Sequence, residues 1–128
     1  MDGVDSTFLI DVLKGNKDTI PIISRHDEIV TTQINLYEIL KGIMLQKDAK
    51  LGIIQAKKIM NDMQVLPLDD AAIVQSADIY ADLVKRGERI SDNDCLIAGT
   101  LLSHGVKTII TRNGDHFKRI KGLKVISY

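Results

Sequence analysis

Apolar residues recur along the chain with a helical spacing that short β-branched runs interrupt, and this alternation sets the expected fold. Gly3-Val4 reads as the end of a short strand, followed by a helix over Ser6 to Lys14 that Gly15 stops. A second helical piece spans Thr19 to Arg25 and is interrupted by Pro21. Glu28 to Thr31 is a β-branched run, and the spacing then predicts helices over Gln33 to Gln46 and Lys50 to Met63. Gln64 to Leu68 reads as the third strand, with a helix over Asp70 to Lys85 closed by Gly87 and another over Asn93 to Ser103 closed by Gly105. Lys107 to Thr111 and Lys124 to Tyr128 supply two more strands around a short helical turn near His116 to Lys121. Strands separated by helices predict an α/β domain with a mostly parallel sheet covered on both faces. Nothing in the pattern divides residues 1–128, so one domain is expected.

In sheets of this kind ligands bind beyond the carboxyl ends of the strands, where the strand order reverses. Acids that follow strands are therefore informative. From Asp5 the helical stripe runs Phe8, Leu9, Val12, Leu13, and from Asp94 it runs Ile97, Ala98, Leu101, Leu102. Each acid thus heads a core-facing register that contains no Lys or Arg. Either one alone is explained by capping or by the helix dipole, and Ser91-Asp92-Asn93-Asp94 resembles a capping box. Two such helices shift the reading towards function, because burying a carboxylate is costly unless it is paired or bound to a cation. Glu38 lies mid-helix between Ile34 and Leu45, where a surface pair with Lys41 explains it equally well. Three carboxylates delivered to one strand-end cleft would form a hard, oxygen-rich site suited to Mg²⁺ or Mn²⁺. The chemistry that needs such a site is phosphodiester hydrolysis.

Composition narrows the partners. With 17 basic and 17 acidic residues in 128, no global field favours nucleic acid or membrane. The end of the chain is nonetheless locally basic, with Lys107, Arg112, Lys118, Arg119, Lys121 and Lys124 against Asp115 alone. That segment is either a solvated face or a phosphate-binding one. Aromatic residues make up 4% and Trp is absent, which argues against extensive base stacking. Cys95 is the single cysteine, which excludes an internal disulfide and fits a reducing cytosol. The start of the chain shows no export signal, and no run of residues is apolar enough to span a membrane.

Four segments, VDSTFLID at Val4 to Asp11, YEILKG at Tyr37 to Gly42, ISDNDCLIA at Ile90 to Ala98 and IITRNGDHF at Ile109 to Phe117, resemble PIN-domain proteins in order and spacing, above all the VapC-like toxin ribonucleases. The resemblance covers nearly the whole chain, including the closing GLKV at Gly122 to Val125. It implies a three-layer α/β/α sandwich, an acidic Mg²⁺ or Mn²⁺ site and endoribonuclease activity on single-stranded or structured RNA. It also implies a cytoplasmic toxin, a homodimer, and a small antitoxin that blocks the acidic cleft.

Carried over residue by residue, the resemblance places Asp5, Glu38 and Asp94 on the three firmest acidic positions. Thr7, Thr111 and Asn113 match hydroxyl and polar supporting positions, for the last two of which turn capping is an equal explanation. The fourth acid departs from the pattern: Asn113 stands where many relatives carry Asp, and Asp92 and Asp115 are close enough to substitute as metal ligands. Arg112 and the basic segment after it are expected on the rim of the cleft, facing the RNA backbone.

Other features have plainer explanations. His26, His104 and His116 lack metal-ligand spacing and receive no role. Asp69-Asp70 reads as a helix N-cap, and Cys95 as a packing residue. A degenerate PIN-like module that binds RNA or a partner without cutting is the main alternative. A receiver-like signalling domain fits poorly, since Ser6 and Thr7 follow a single Asp5 where an acidic pair is wanted. Ile39, Ile43, Met44, Leu51, Ile53, Ile54 and Ile59 are divided between core and a dimer interface that the pattern alone does not separate.

Overall fold

In the computed structural model, residues 1–25 and 28–128 are described, and His26 lies outside them. The strands are β1 (Asp2–Val4), β2 (Ile29–Thr32), β3 (Gln64–Leu66), β4 (Thr108–Ile110) and β5 (Lys124–Ile126). The helices are α1 (Ser6–Leu13), α2 (Thr19–Arg25), α3 (Gln33–Met44), α4 (Lys50–Asp62), α5 (Asp70–Lys85) and α6 (Asp92–Ser103), with a 3-10 turn at Phe117–Arg119. The strands pair in the order β3-β2-β1-β4-β5, every pairing parallel. The order reverses at β1, whose carboxyl end therefore lies at the switch point between β2 and β4.

Each face of the sheet carries its own core. Val30, Ile97, Leu101, Ile109 and Phe117 join α5 and α6 to one face. Val4, Phe8, Leu9, Ile39 and Ile110 join α1 to α4 to the other. Alternation along β4 divides Ile109 from Ile110, as the pleat requires of a strand buried on both sides. The layers are α/β/α, as the periodicity predicts.

Two glycines allow the close packing on the α6 side. A Cβ on Gly3 would stand 2.7 Å from Leu101 Cδ2, so the bare backbone of β1 lets α6 settle onto the sheet. A Cβ on Gly99 would stand 2.0 Å from Ser76 Oγ and 2.6 Å from Ser76 N, which brings α5 against α6 at near backbone contact. Differences from the expected boundaries are small and fall at the ends. β3 stops at Leu66, before Pro67, whose missing N–H cannot extend a ladder.

Candidate active site

Asp5 leaves β1 in an extended conformation and caps α1, its Oδ1 accepting from the Phe8 N–H at 3.1 Å and from Thr7 Oγ1 at 2.7 Å. Its Oδ2 accepts from the Thr111 hydroxyl, delivered from the end of β4. Capping and an inward position therefore coincide in one residue. Asp5 is 5% exposed, with both oxygens held by donors from three directions.

Glu38 is reached by a relay that starts in the core. Thr32 closes β2, caps α3 and donates to Asn35 Oδ1 at 2.7 Å. Asn35 Nδ2 donates to Ser6 Oγ at 3.1 Å, and Ser6 donates to Glu38 Oε1 at 2.6 Å. Asn93 Nδ2 lies 3.4 Å from the other oxygen, Oε2. The surface pair with Lys41 gives way to this relay, and the Lys41 ammonium stands instead over the Tyr37 ring, 5.3 Å from its centroid.

Asp94 lies in the first turn of α6. Ser91 caps that helix by accepting from the Asp94 N–H at 3.2 Å, so the first half of the expected capping box is present. The Asp94 carboxylate turns away from the cap and meets His116 Nδ1 at 2.9 Å.

These acids face one cleft of about 270 Å³, lined by Asp5, Ser6, Thr7, Glu38, Asp94 and Asn113, with His116, Ile97 and Phe117 completing the wall. No Lys or Arg is among the described residues that line it. Asp92 and Asp115 are exposed and absent from that lining, whereas Asn113 is part of it. Arg112 is drawn off to the other side, with its guanidinium 3.2 Å from Asp11 Oδ2. Farther along the basic segment, Arg119 donates to the Glu88 and Arg89 carbonyls and Lys121 stands 3.9 Å from Asp82.

The sequence matches the PIN domain family over residues 4–123. This chain belongs to the PIN-domain family. It is 30% identical over 129 residues to Ribonuclease VapC1 of Rickettsia felis, covering 97% of this chain and 93% of that protein. It is 27% identical over 96 residues to the tRNA(fMet)-specific endonuclease VapC of Salmonella typhimurium, covering 73% of this chain and 70% of that one. The solved structure of VapBC2 from Rickettsia felis, bound to a DNA fragment from its promoter, superposes with a TM-score of 0.87 over 98% of this chain and 97% of that one. At 18% identity the likeness establishes the fold.

The donors of this PIN domain suit a hard divalent cation, since Asp5, Glu38, Asp94 and Asn113 offer oxygens and, among the described residues, no lining Lys or Arg competes for them. Among the described residues, no three His, Cys, Asp or Glu side chains stand close enough together to enclose an ion directly. A hydrated divalent cation, which keeps several waters and is bound through one or two carboxylates, would suit that spacing.

In and around the PIN-domain cleft, some side chains support the acids without having been singled out for it, among them His116, which the sequence pattern left without a role. Ser6, Asn35 and Asn93 serve Glu38, and His116 serves Asp94. Asp11 is 3% exposed and receives both Arg112 and the Tyr128 hydroxyl, the latter at 2.7 Å. Asp11 falls outside the stripe of Phe8, Leu9, Val12 and Leu13 that Asp5 heads, so the register argument misses it. His104 caps instead, its Nδ1 lying 2.8 Å from the Thr100 carbonyl oxygen, and Asp69 caps α5 as expected. Cys95 is buried, and burial together with Asp92 and Asp94 pushes its thiol up, which disfavours a thiolate nucleophile.

Proposed function

We propose that this PIN domain is a metal-dependent endoribonuclease that hydrolyses RNA phosphodiester bonds as the toxin of a toxin–antitoxin pair. The observation that carries the reading is the meeting of Asp5 from the cap of α1, Glu38 from α3 and Asp94 from α6 in one cleft at the switch point of the sheet, with no Lys or Arg among the described residues that line it. Relatives named ribonuclease and tRNA-specific endonuclease support the nuclease assignment.

Asp5, Glu38 and Asp94 would hold Mg²⁺ or Mn²⁺, with Asn113 as a neutral fourth donor, while Asp92 at the start of α6 and Asp115 would act only as outer acids. A bound ion polarises a phosphoryl oxygen and makes a nucleophile of water at neutral pH. The protein's own residues hold the acids in place: Thr7 and Thr111 fix the two oxygens of Asp5, and Ser6 fixes Glu38. RNA recognition is then expected to rest on backbone contacts around the cleft mouth, with Arg112 released from Asp11 only if the substrate outcompetes that pair.

A small antitoxin is the expected partner, since VapBC assemblies share this fold. A groove of about 460 Å³ between α1, α3 and α4 includes Ile39, Ile43 and Leu51 and also Glu38, so a segment seated there reaches the acidic cleft. Among the described residues no helix is long and apolar enough to cross a membrane. Asn113 in place of an acid is what keeps the alternative of a binding module without cleavage in play.

Asp5→Asn separates the two. Its expected outcome is loss of Mg²⁺- or Mn²⁺-dependent cleavage across a panel of RNAs, compared with EDTA controls. Equal activity in the substituted protein refutes the proposal, and wild-type binding of RNA without cleavage establishes the alternative.

A further inference from the structure

We infer that His116 is a positioning residue for Asp94, holding one carboxylate oxygen so that the other faces the cleft. The inference rests on the reading of that cleft as a cation site. His116 Nδ1 lies 2.9 Å from Asp94 Oδ2, and the imidazole lines the same cleft as Asp5 and Glu38 while its side chain stays 53% exposed. A carboxylate only accepts, so the ring hydrogen in this bond belongs to Nδ1. Each of the three acids then has an orienting donor from another part of the chain: Thr111 for Asp5, Ser6 for Glu38, His116 for Asp94.

Two of those donors come from one segment. Residues 111–117 carry Thr111 at one end and His116 near the other, so a single loop contacts both Asp5 at the cap of α1 and Asp94 on α6. The loop is anchored independently of the acids. Phe117 is buried in the core, the Lys118 N–H donates to the Gly114 carbonyl at 3.0 Å, and Gly114 packs so closely that a Cβ there would stand 2.6 Å from Val125 Cγ1. An exposed histidine on such a segment adds little to the core, and its bond to Asp94 is the contact through which it acts on the cleft. Groups that orient ligating side chains from behind typically change metal affinity by about 10- to 100-fold when removed.

The test is Mn²⁺ binding by the full chain, followed by calorimetry and by the electron paramagnetic resonance signal of the free ion, in wild type, Asp5→Asn, His116→Ala and His116→Asn. Cleavage kinetics on RNA and long-range ¹H–¹⁵N NMR of the metal-free protein accompany it. His116 is expected in the Nδ1–H tautomer. His116→Ala is expected to weaken Mn²⁺ binding about 10- to 100-fold and to lower kcat with KM for RNA unchanged. His116→Asn, whose amide nitrogen branches from the same Cγ, is expected to recover most of both. An Nε2–H tautomer, wild-type Mn²⁺ affinity in His116→Ala, or a rise in KM alone overturns the inference and leaves the cation site standing. Wild-type protein that binds no more Mn²⁺ than Asp5→Asn overturns the cation site itself, and the inference with it.

Discussion

At the scale of single residues, buried and half-buried carboxylates are held by hydroxyls and one imidazole. Asp5 and Asp94 are legible from sequence because each heads a stripe whose neighbours are all apolar. Their supporters are not legible, since Ser6, Asn35 and His116 are ordinary polar residues until the chain folds and brings a donor within about 3 Å of an acid. Tyr128 belongs with them. Its ring packs edge-on against Phe8 with centroids 5.4 Å apart, and its hydroxyl donates to Asp11. Burial first, and then the Asp11 carboxylate, push the phenol well above its ordinary 10.0. The folded state thus keeps this proton where the unfolded state releases it, so the stability involved is complete below about pH 10 and falls as pH rises beyond it. Tyr128→Phe is expected to lose roughly 1 kcal/mol at neutral pH with the hydrogen bond. Its deficit relative to wild type should shrink above about pH 10, as read from urea midpoints at several pH values. A deficit independent of pH refutes this account.

At the scale of elements, the helices and strands among the described residues follow closely the spacing of apolar residues and breakers in the sequence. How tightly they pack was hidden, since a glycine inside a helix reads only as a weakness. Gly99 and Gly52 separate the cases. A Cβ at Gly99 meets the backbone of Ser76, which cannot yield without moving α5, whereas one at Gly52 meets Ile43 Cγ2 at 2.7 Å, a side-chain atom rather than backbone. Gly99→Ala is expected to cost roughly 1–3 kcal/mol, and Gly52→Ala distinctly less, by thermal or urea unfolding. Adding Ser76→Gly to Gly99→Ala should restore little, because the clash includes the backbone nitrogen and Cα of Ser76. Recovery to wild-type stability in the double variant would show that the hydroxyl was the obstacle.

At the scale of the whole molecule, the structure separates the apolar residues that sequence left mixed. Ile39 and Ile43 belong to the core, while Met44, Leu51 and Ile54 are 62%, 67% and 64% exposed. Paired with Tyr37 and Leu45, they leave the α3–α4 side with an apolar surface that a second copy or an antitoxin would cover. Leu51→Asp is expected to change stability by no more than about 0.5 kcal/mol, as exposed substitutions do, and to reduce self-association in sedimentation runs at rising concentration. Unchanged association would place the contact elsewhere.

The strand order also has a bearing on when the protein can act. β1, made first, lies at the centre of the sheet and pairs with β4, made late, and Thr111 is separated from its partner Asp5 by 106 residues. Contacts so distant in sequence form slowly and only after the intervening chain exists. A nascent chain ending before residue 108 already contains Asp5, Glu38 and Asp94 but has neither the neighbour that closes β1 nor the loop that steadies the acids. Truncation there should leave an inert polypeptide. For an enzyme that would attack RNA, such a build order would delay the cutting edge until the rest of the chain exists.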